Sequence, residues 1–281
     1  MAKAVVFGYH DVGARCLGAL LDADVEVPLV ISHRDDPAER IWFESVAELA
    51  RSRGVTVLLD PPIDEIARRL ARMQPDFLFS FYYRRMLPAE VLHTARRGAF
   101  NMHGSLLPKY RGRVPVNWAI IHGETETGAT LHEMTAKPDA GRIVDQQAVP
   151  IDPDETAFDV LRKVTDAAEL VLRRSLPALL AGRAKLRPNE IAKGSYFGGR
   201  KAEDGRIEWS KSAREIHNLV RAVAPPYPGA FCDQLRVYRT RLEERRAPSD
   251  EVGPYQEDGA WFALCGDGKV LRLLEVEPLP Q

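Results

Sequence analysis

Over the first two hundred residues, short apolar runs alternate with stretches in which apolar residues return every third or fourth position. That rhythm predicts an α/β fold, because buried parallel strands read as continuous apolar runs and amphipathic helices as a stripe of period 3.6. Residues 4–7, 27–32, 55–58, 77–80 and 99–103 are the expected strands, and 12–21, 41–53 and 63–73 the expected helices. Two further strands, 130–134 and 143–151, flank a loop containing Lys137-Pro138-Asp139-Ala140-Gly141. Val160, Leu161, Val164, Ala167, Ala168, Val171 and Leu172 then form one apolar helical stripe, which Gly182 ends and Pro177 is expected to kink.

Beyond residue 188 the pattern changes. Gly194, Gly198 and Gly199 loosen the chain, and short strand-like runs follow at 206–209, 230–232, 235–241, 260–265 and 270–274, interrupted by a helix at 213–223. Gly266-Asp267-Gly268 suits a hairpin between the last two runs. The expected organisation is a Rossmann-like domain at 1–188, with a mostly parallel sheet and helices on both faces. A linker at 189–203 and a small β-rich domain at 204–281, of the OB-like barrel kind, complete it.

Composition narrows the partners more than the fold. The 281 residues are 45% hydrophobic, enough for a packed core, and carry 39 Lys plus Arg against 40 Asp plus Glu. Residues 205–281 are equally balanced, with 11 basic and 12 acidic side chains, so nothing marks a nucleic-acid-binding face. Cys16, Cys232 and Cys265 are far apart and lack metal-ligand spacing, so they read as packing residues and no metal is expected. The opening run Ala4-Val5-Val6-Phe7 is too brief for a signal-peptide core or a membrane span, so a cytoplasmic location is expected. Oligomeric state leaves no trace in the sequence.

The segment Asn101-Met102-His103-Gly104-Ser105-Leu106-Leu107-Pro108-Lys109-Tyr110-Arg111-Gly112-Arg113 stands apart. A buried strand there ends in two polar residues separated by one apolar residue, so Asn101 and His103 share a face at its carboxyl end. Ligands bind at that end of open α/β sheets. An amide can donate to an oxyanion and an imidazole can move protons near neutrality, which is what attack of an amine on an acyl carbon requires. A carboxylate against the imidazole would favour its charged form, and Asp139 in its Pro-Asp-Ala-Gly loop is the candidate. The same residues would serve as caps and turn formers, and residue pattern alone does not separate the two readings.

The Asn-x-His core, the following Ser-Leu-Leu-Pro-x-Tyr-Arg-Gly and the Asp-x-Gly loop some 36 residues later resemble the signature of the folate-dependent formyltransferase family. Supporting stretches are Val6-Phe7-Gly8-Tyr9-His10-Asp11, Phe79-Ser80-Phe81-Tyr82-Tyr83-Arg84, Asn117-Trp118, Gly123 to Gly128, Arg221-Ala222-Val223 and Pro228-Gly229-Ala230-Phe231. The resemblance implies that Asn101 stabilises the transition state, that His103 gives and takes the proton, and that Asp139 supports the charged imidazole. It implies 10-formyltetrahydrofolate as co-substrate, held by Arg85, Met86 and Leu87, by Arg113, and by the loop Thr135, Ala136, Lys137 and Pro138 to Asp139. Within the family the likeness is greatest to members that formylate UDP-4-amino-4-deoxy-L-arabinose in lipid A modification and polymyxin resistance. That implies a small nucleotide-sugar partner docking between the domains, with Asn117 and Arg200 as candidate contacts. For Arg200 a solvated linker charge is the preferred reading of the residue pattern.

Known relatives of that sugar enzyme are fused to a UDP-glucuronic acid decarboxylase domain, whereas this sequence runs to Gln281 without one, and Gly8 and Gly13 do not make a dinucleotide fingerprint. The oxidative step is therefore expected to fall to another protein. Family members acting on methionyl-tRNA share the core motif, and the balanced charge weighs against that acceptor. A non-catalytic pocket protein is disfavoured by the three polar residues together. A serine hydrolase is disfavoured because Gly104-Ser105-Leu106-Leu107 lacks the second glycine of a nucleophile elbow.

Overall fold

The computed structural model describes residues 1–279. Seven strands form the first sheet: β1 (Ala2–Gly8), β2 (Val25–Ser32), β3 (Thr56–Leu59), β4 (Phe77–Phe81), β5 (Gly98–His103) and, beyond the short β6 (Arg111–Gly112), β7 (Glu126–Glu133) and β8 (Ile143–Pro150). Their order is β3-β2-β1-β4-β5-β7-β8. The first five are parallel, and β7 runs antiparallel to β5. Helices α1 (His10–Leu21), α2 (Val46–Ser52), α3 (Ile63–Met73) and α4 (Ala89–Leu92) connect the parallel strands.

Period-two alternation decides what each face buries. Val5, Phe7, Leu29, Ile31, Leu78 and Ala99 join Ile66 and Leu70 of α3 and Val91 and Leu92 of α4 in one apolar cluster. Ala4, Val6 and Val30, one position out of phase, are fully buried too, and α1 packs against β1, β2 and β4. Burial of each large side chain is worth roughly 1.5–3 kcal/mol, so the sheet is anchored from both sides.

After α5 (Pro115–Ile121) and the long α6 (Ala157–Leu180), the chain forms the two-residue β9 (Tyr196–Phe197) and α7 (Ala213–Val223). Then come β10 (Ala230–Phe231), β11 (Leu235–Glu243), β12 (Gly253–Glu257), β13 (Ala260–Leu264) and β14 (Val270–Pro278). The last five strands form an antiparallel sheet of order β10-β11-β14-β13-β12. Ser212 caps α7 and exchanges hydrogen bonds with Glu215, while Ile216, Val220 and Val223 pack on Leu235, Val237, Leu271 and Leu273 of the sheet.

Two compact units result: residues 1–112, 128–149 and 163–196 in one, 113–127, 150–162 and 197–281 in the other. Residues 113–127 and 150–162 thus cluster with the second unit, although the hydrophobic pattern runs them into the first domain. The strand expected at 206–209 is reduced to one bridge, Arg206 to Phe231. The helix expected at 41–53 begins only at Val46, because Ser45 accepts the Glu48 N–H and caps it there while Phe43 stacks on His10. Among the described residues no helix is long and apolar enough to cross a membrane.

Candidate active site

Asn101 and His103 leave β5 on one face, and β7 supplies what they meet. Its register sets His132 opposite Asn101 and Thr130 opposite His103, so those two side chains share the same face. The His132 ring is fixed by its own strand: Nδ1–H donates to the Glu133 carbonyl at 2.7 Å. In the neutral ring Nε2 is then the acceptor, and it lies 3.1 Å from Asn101 Nδ2. One amide N–H of Asn101 is engaged and the amide is oriented, with its second N–H left over. In the sequence His132 reads only as a residue of a core strand. The signal was Thr130-Leu131-His132, an apolar residue between two polar ones that repeats the pattern of Asn101-Met102-His103.

His103, 6% exposed, donates Nε2–H to the Tyr110 carbonyl at 2.7 Å. That leaves Nδ1 as the nitrogen free to exchange a proton. The loop presenting the Tyr110 carbonyl is itself tied down. Ser105 Oγ donates to Lys109 O at 2.7 Å, and Thr130 Oγ1 donates to Ser105 O at 2.6 Å. Gln146 Nε2 donates both to Thr130 Oγ1 and to Leu107 O, each at 2.8 Å.

Asp139 completes the group from the loop before β8. Its Oδ1 lies 3.6 Å from His103 Nδ1 and 3.4 Å from His132 Nε2, while Oδ2 accepts the Gly112 N–H at 2.8 Å. Burial pushes this carboxyl up, but the charge that the His103 imidazole can carry and the Gly112 N–H outweigh it and hold the group below the usual carboxylate range. A half-buried carboxylate kept ionised beside two imidazoles is an arrangement suited to supporting a transient positive charge.

The expected folate residues fall in several places. Leu87 is buried in the cluster that also takes in Met134, while Met86 beside it is 56% exposed. The chain leaving β4 and the chain entering the Asp139 loop therefore share one apolar anchor, with an exposed thioether next to it and Thr135, Ala136 and Lys137 at the surface. Those features fit a flat heterocycle with a hydrogen-bonding edge. Pro138 is half-buried, and Arg85 Nη1 donates to Pro61 O at 3.1 Å. In the second unit, Arg113 donates its backbone N–H to Phe197 O at 3.0 Å and extends its side chain beside Gly199.

The two expected sugar contacts also lie in that unit. Asn117 is buried and donates Nδ2 to the Ala222 carbonyl at 2.7 Å, tying α5 to α7. Arg200 is not a solvated linker charge: it is half-buried, lies 4.8 Å over the Trp118 ring and donates to Asp204 O at 2.6 Å. Its burial lowers the guanidinium pKa.

Residues 2–176 match the family described as formyl transferase, and residues 200–279 match the formyl transferase C-terminal domain. Among solved structures, an N-formyltransferase from Helicobacter canadensis, in complex with folinic acid and dTDP-3-aminofucose, superposes with a TM-score of 0.78 at 20% identity, over 99% of this chain and 100% of its own. The sugar 3N-formyl transferase WlaRD, in the presence of dTDP and 5-N-formyl-THF, superposes with a TM-score of 0.77 at 21% identity, over 100% and 99%. Glycinamide ribonucleotide transformylase 1 from Symbiobacterium toebii is 26% identical over 68% of this chain and 95% of its own, with a TM-score of 0.58. With a family match across more than half its length and a second over its β-rich end, the chain belongs to the formyl transferase family.

Proposed function

We propose that the protein transfers a formyl group from 10-formyltetrahydrofolate to the amine of a nucleotide-linked amino sugar, and that the acceptor is the 4-amino group of UDP-4-amino-4-deoxy-L-arabinose. The observation that carries this reading is the meeting of Asn101, His103 and Asp139 around the His132 ring. As the amine attacks the formyl carbon, a C–N bond forms and the carbonyl oxygen gains negative charge. The second Asn101 N–H is the donor for that oxygen. The attacking nitrogen then loses a proton and the departing folate nitrogen gains one. Because Nε2 of His103 is committed to the Tyr110 carbonyl, the proton passes through Nδ1, and Asp139 supports the imidazolium. Met86, Leu87 and the loop 135–138 would hold the pterin.

The acceptor class is supported by two folds similar over nearly the whole chain, whose structures include folinic acid with dTDP-3-aminofucose, and dTDP with 5-N-formyl-THF. The same observation favours a second reading in which the sugar is another nucleotide-linked amine. Parallel assays with UDP-4-amino-4-deoxy-L-arabinose, dTDP-3-aminofucose and charged initiator tRNA, each with 10-formyltetrahydrofolate, separate the possibilities by product. The formamide of the UDP sugar is the expected product. Formyl-methionyl-tRNA as sole product would overturn the sugar assignment and leave the chemistry standing.

A further inference from the structure

Residues 187–196 read in the sequence as the end of a domain and the start of a linker, yet in the fold they cross both loops of the candidate site. Arg187 exchanges two backbone hydrogen bonds of 2.9 Å with Ile143 at the start of β8. Asn189 Nδ2 then donates to the Asp139 carbonyl at 2.9 Å, while its Oδ1 is buried without a partner, so this amide rests on one bond. Gly194 lies so close to Pro108 that a β-carbon there would come 2.0 Å from the Pro108 oxygen. Ser195 accepts twice, through Oγ from Tyr110 N–H at 2.9 Å and through its carbonyl from Arg111 N–H at 3.0 Å.

These contacts fall on the two residues that aim the His103 ring. Tyr110 offers its carbonyl to Nε2, and Asp139 faces Nδ1. Both have left-handed backbone, φ 55° and φ 47°, which residues with a β-carbon adopt only where the surroundings enforce it. We propose that Asn189 and Ser195 are positioning residues, and that the 187–196 strap holds the Asp139 and Tyr110 loops in the conformations that orient His103. The proposal rests on the reading of His103 and Asp139 as the proton-transfer pair.

A double-mutant cycle tests it, with steady-state kinetics on 10-formyltetrahydrofolate and the nucleotide amino sugar and a melting temperature for every variant. Asn189→Ala should lower kcat by about 10- to 100-fold, the cost expected of a mispositioned group, and leave the KM for the nucleotide amino sugar within about twofold. In the Asp139→Asn background the same change should cost less than about twofold more, because the carboxylate it positions is already gone. Equal losses in both backgrounds, or no loss in the wild-type background, would overturn the strap. Ser195→Thr should restore most of the turnover that Ser195→Ala loses, and a threonine variant as poor as the alanine variant counts against the proposal. If Asn189→Ala does not fold, the Ser195 pair carries the test alone. If Asp139→Asn turns over at the wild-type rate, the reading of Asp139 fails and the strap with it. If Asp139→Asn is impaired and Asn189→Ala is not, the strap alone fails.

Discussion

Each of the two units buries a histidine, and the surroundings of the two differ in kind. His217 on α7 has both nitrogens occupied by neutral groups, Nδ1 by the Thr240 hydroxyl at 2.9 Å and Nε2 by the Pro153 carbonyl at 3.1 Å, with Asp154 exposed to solvent 3.5 Å away. Burial lowers its pKa and favours the neutral ring. One turn on, Arg221 donates to the carbonyls of Asp152 and Glu155 and to Asn218 Oδ1, so α7 pins the segment leading into α6. His103, in contrast, gives one nitrogen to a carbonyl and turns the other to a half-buried, ionised carboxylate. A buried histidine is thus no sign of chemistry by itself; a pin has both ring nitrogens occupied, whereas the reactive ring keeps one nitrogen for a carboxylate shielded from solvent.

The contrast makes opposite demands on mutation. The largest effect is expected in the first unit: His103→Ala should lower turnover by roughly 100- to 10,000-fold and Asn101→Ala by roughly 100- to 1,000-fold, each with its melting temperature nearly kept. Normal formamide production by either variant would remove that residue from its role. Arg221→Ala should do the reverse. It orphans two carbonyls and an amide oxygen, each worth about 1–3 kcal/mol, so stability to denaturant should fall while turnover per folded molecule holds. A large kcat loss in a stable Arg221→Ala protein would break the comparison.

Two smaller effects sharpen it through pH. Asp139 has a folded pKa below its ordinary 3.8, so its stabilising contribution is complete above about pH 4 and is lost as pH falls through the folded value. Asp139→Asn should therefore lose less stability than wild type on acid titration below about pH 4, and parallel curves would show that the carboxylate is not held ionised by its neighbours. His217 has a folded pKa below its ordinary 6.5, so the native state resists protonation and stability declines as pH drops below about 6.5. His217→Gln should flatten the fall in melting temperature between about pH 7 and pH 5; an unchanged slope would assign that fall to other groups.

Much of this was legible in the chain because strand interiors and helix stripes are local. Val5 and Phe7, Leu29 and Ile31, Phe77 and Phe79 announce the parallel strands, and the stripe from Val160 to Leu172 announces α6. What escaped depends on partners distant in sequence. The strand β12, Gly-Pro-Tyr-Gln-Glu, has no apolar run of its own and exists by pairing with β13. Trp42 and Phe43, which look helical, instead turn onto the His10 ring. Asn101, His103 and Asp139 could be named from motif and strand-end position. His132 offers only the polar-apolar-polar repeat of Thr130-Leu131-His132, and its place opposite Asn101 is a matter of register between β5 and β7, which a single sequence does not show.

The reversal of β7 in an otherwise parallel neighbourhood sets a particular fragility. Strand side chains alternate strictly, so deleting one residue from β7 ahead of position 132 would swing that imidazole to the opposite side of the sheet and bring an apolar neighbour into its place. Such a frameshift in three dimensions would strip Asn101 of the group that orients it, without altering the identity of any residue in the motif by which the family is recognised.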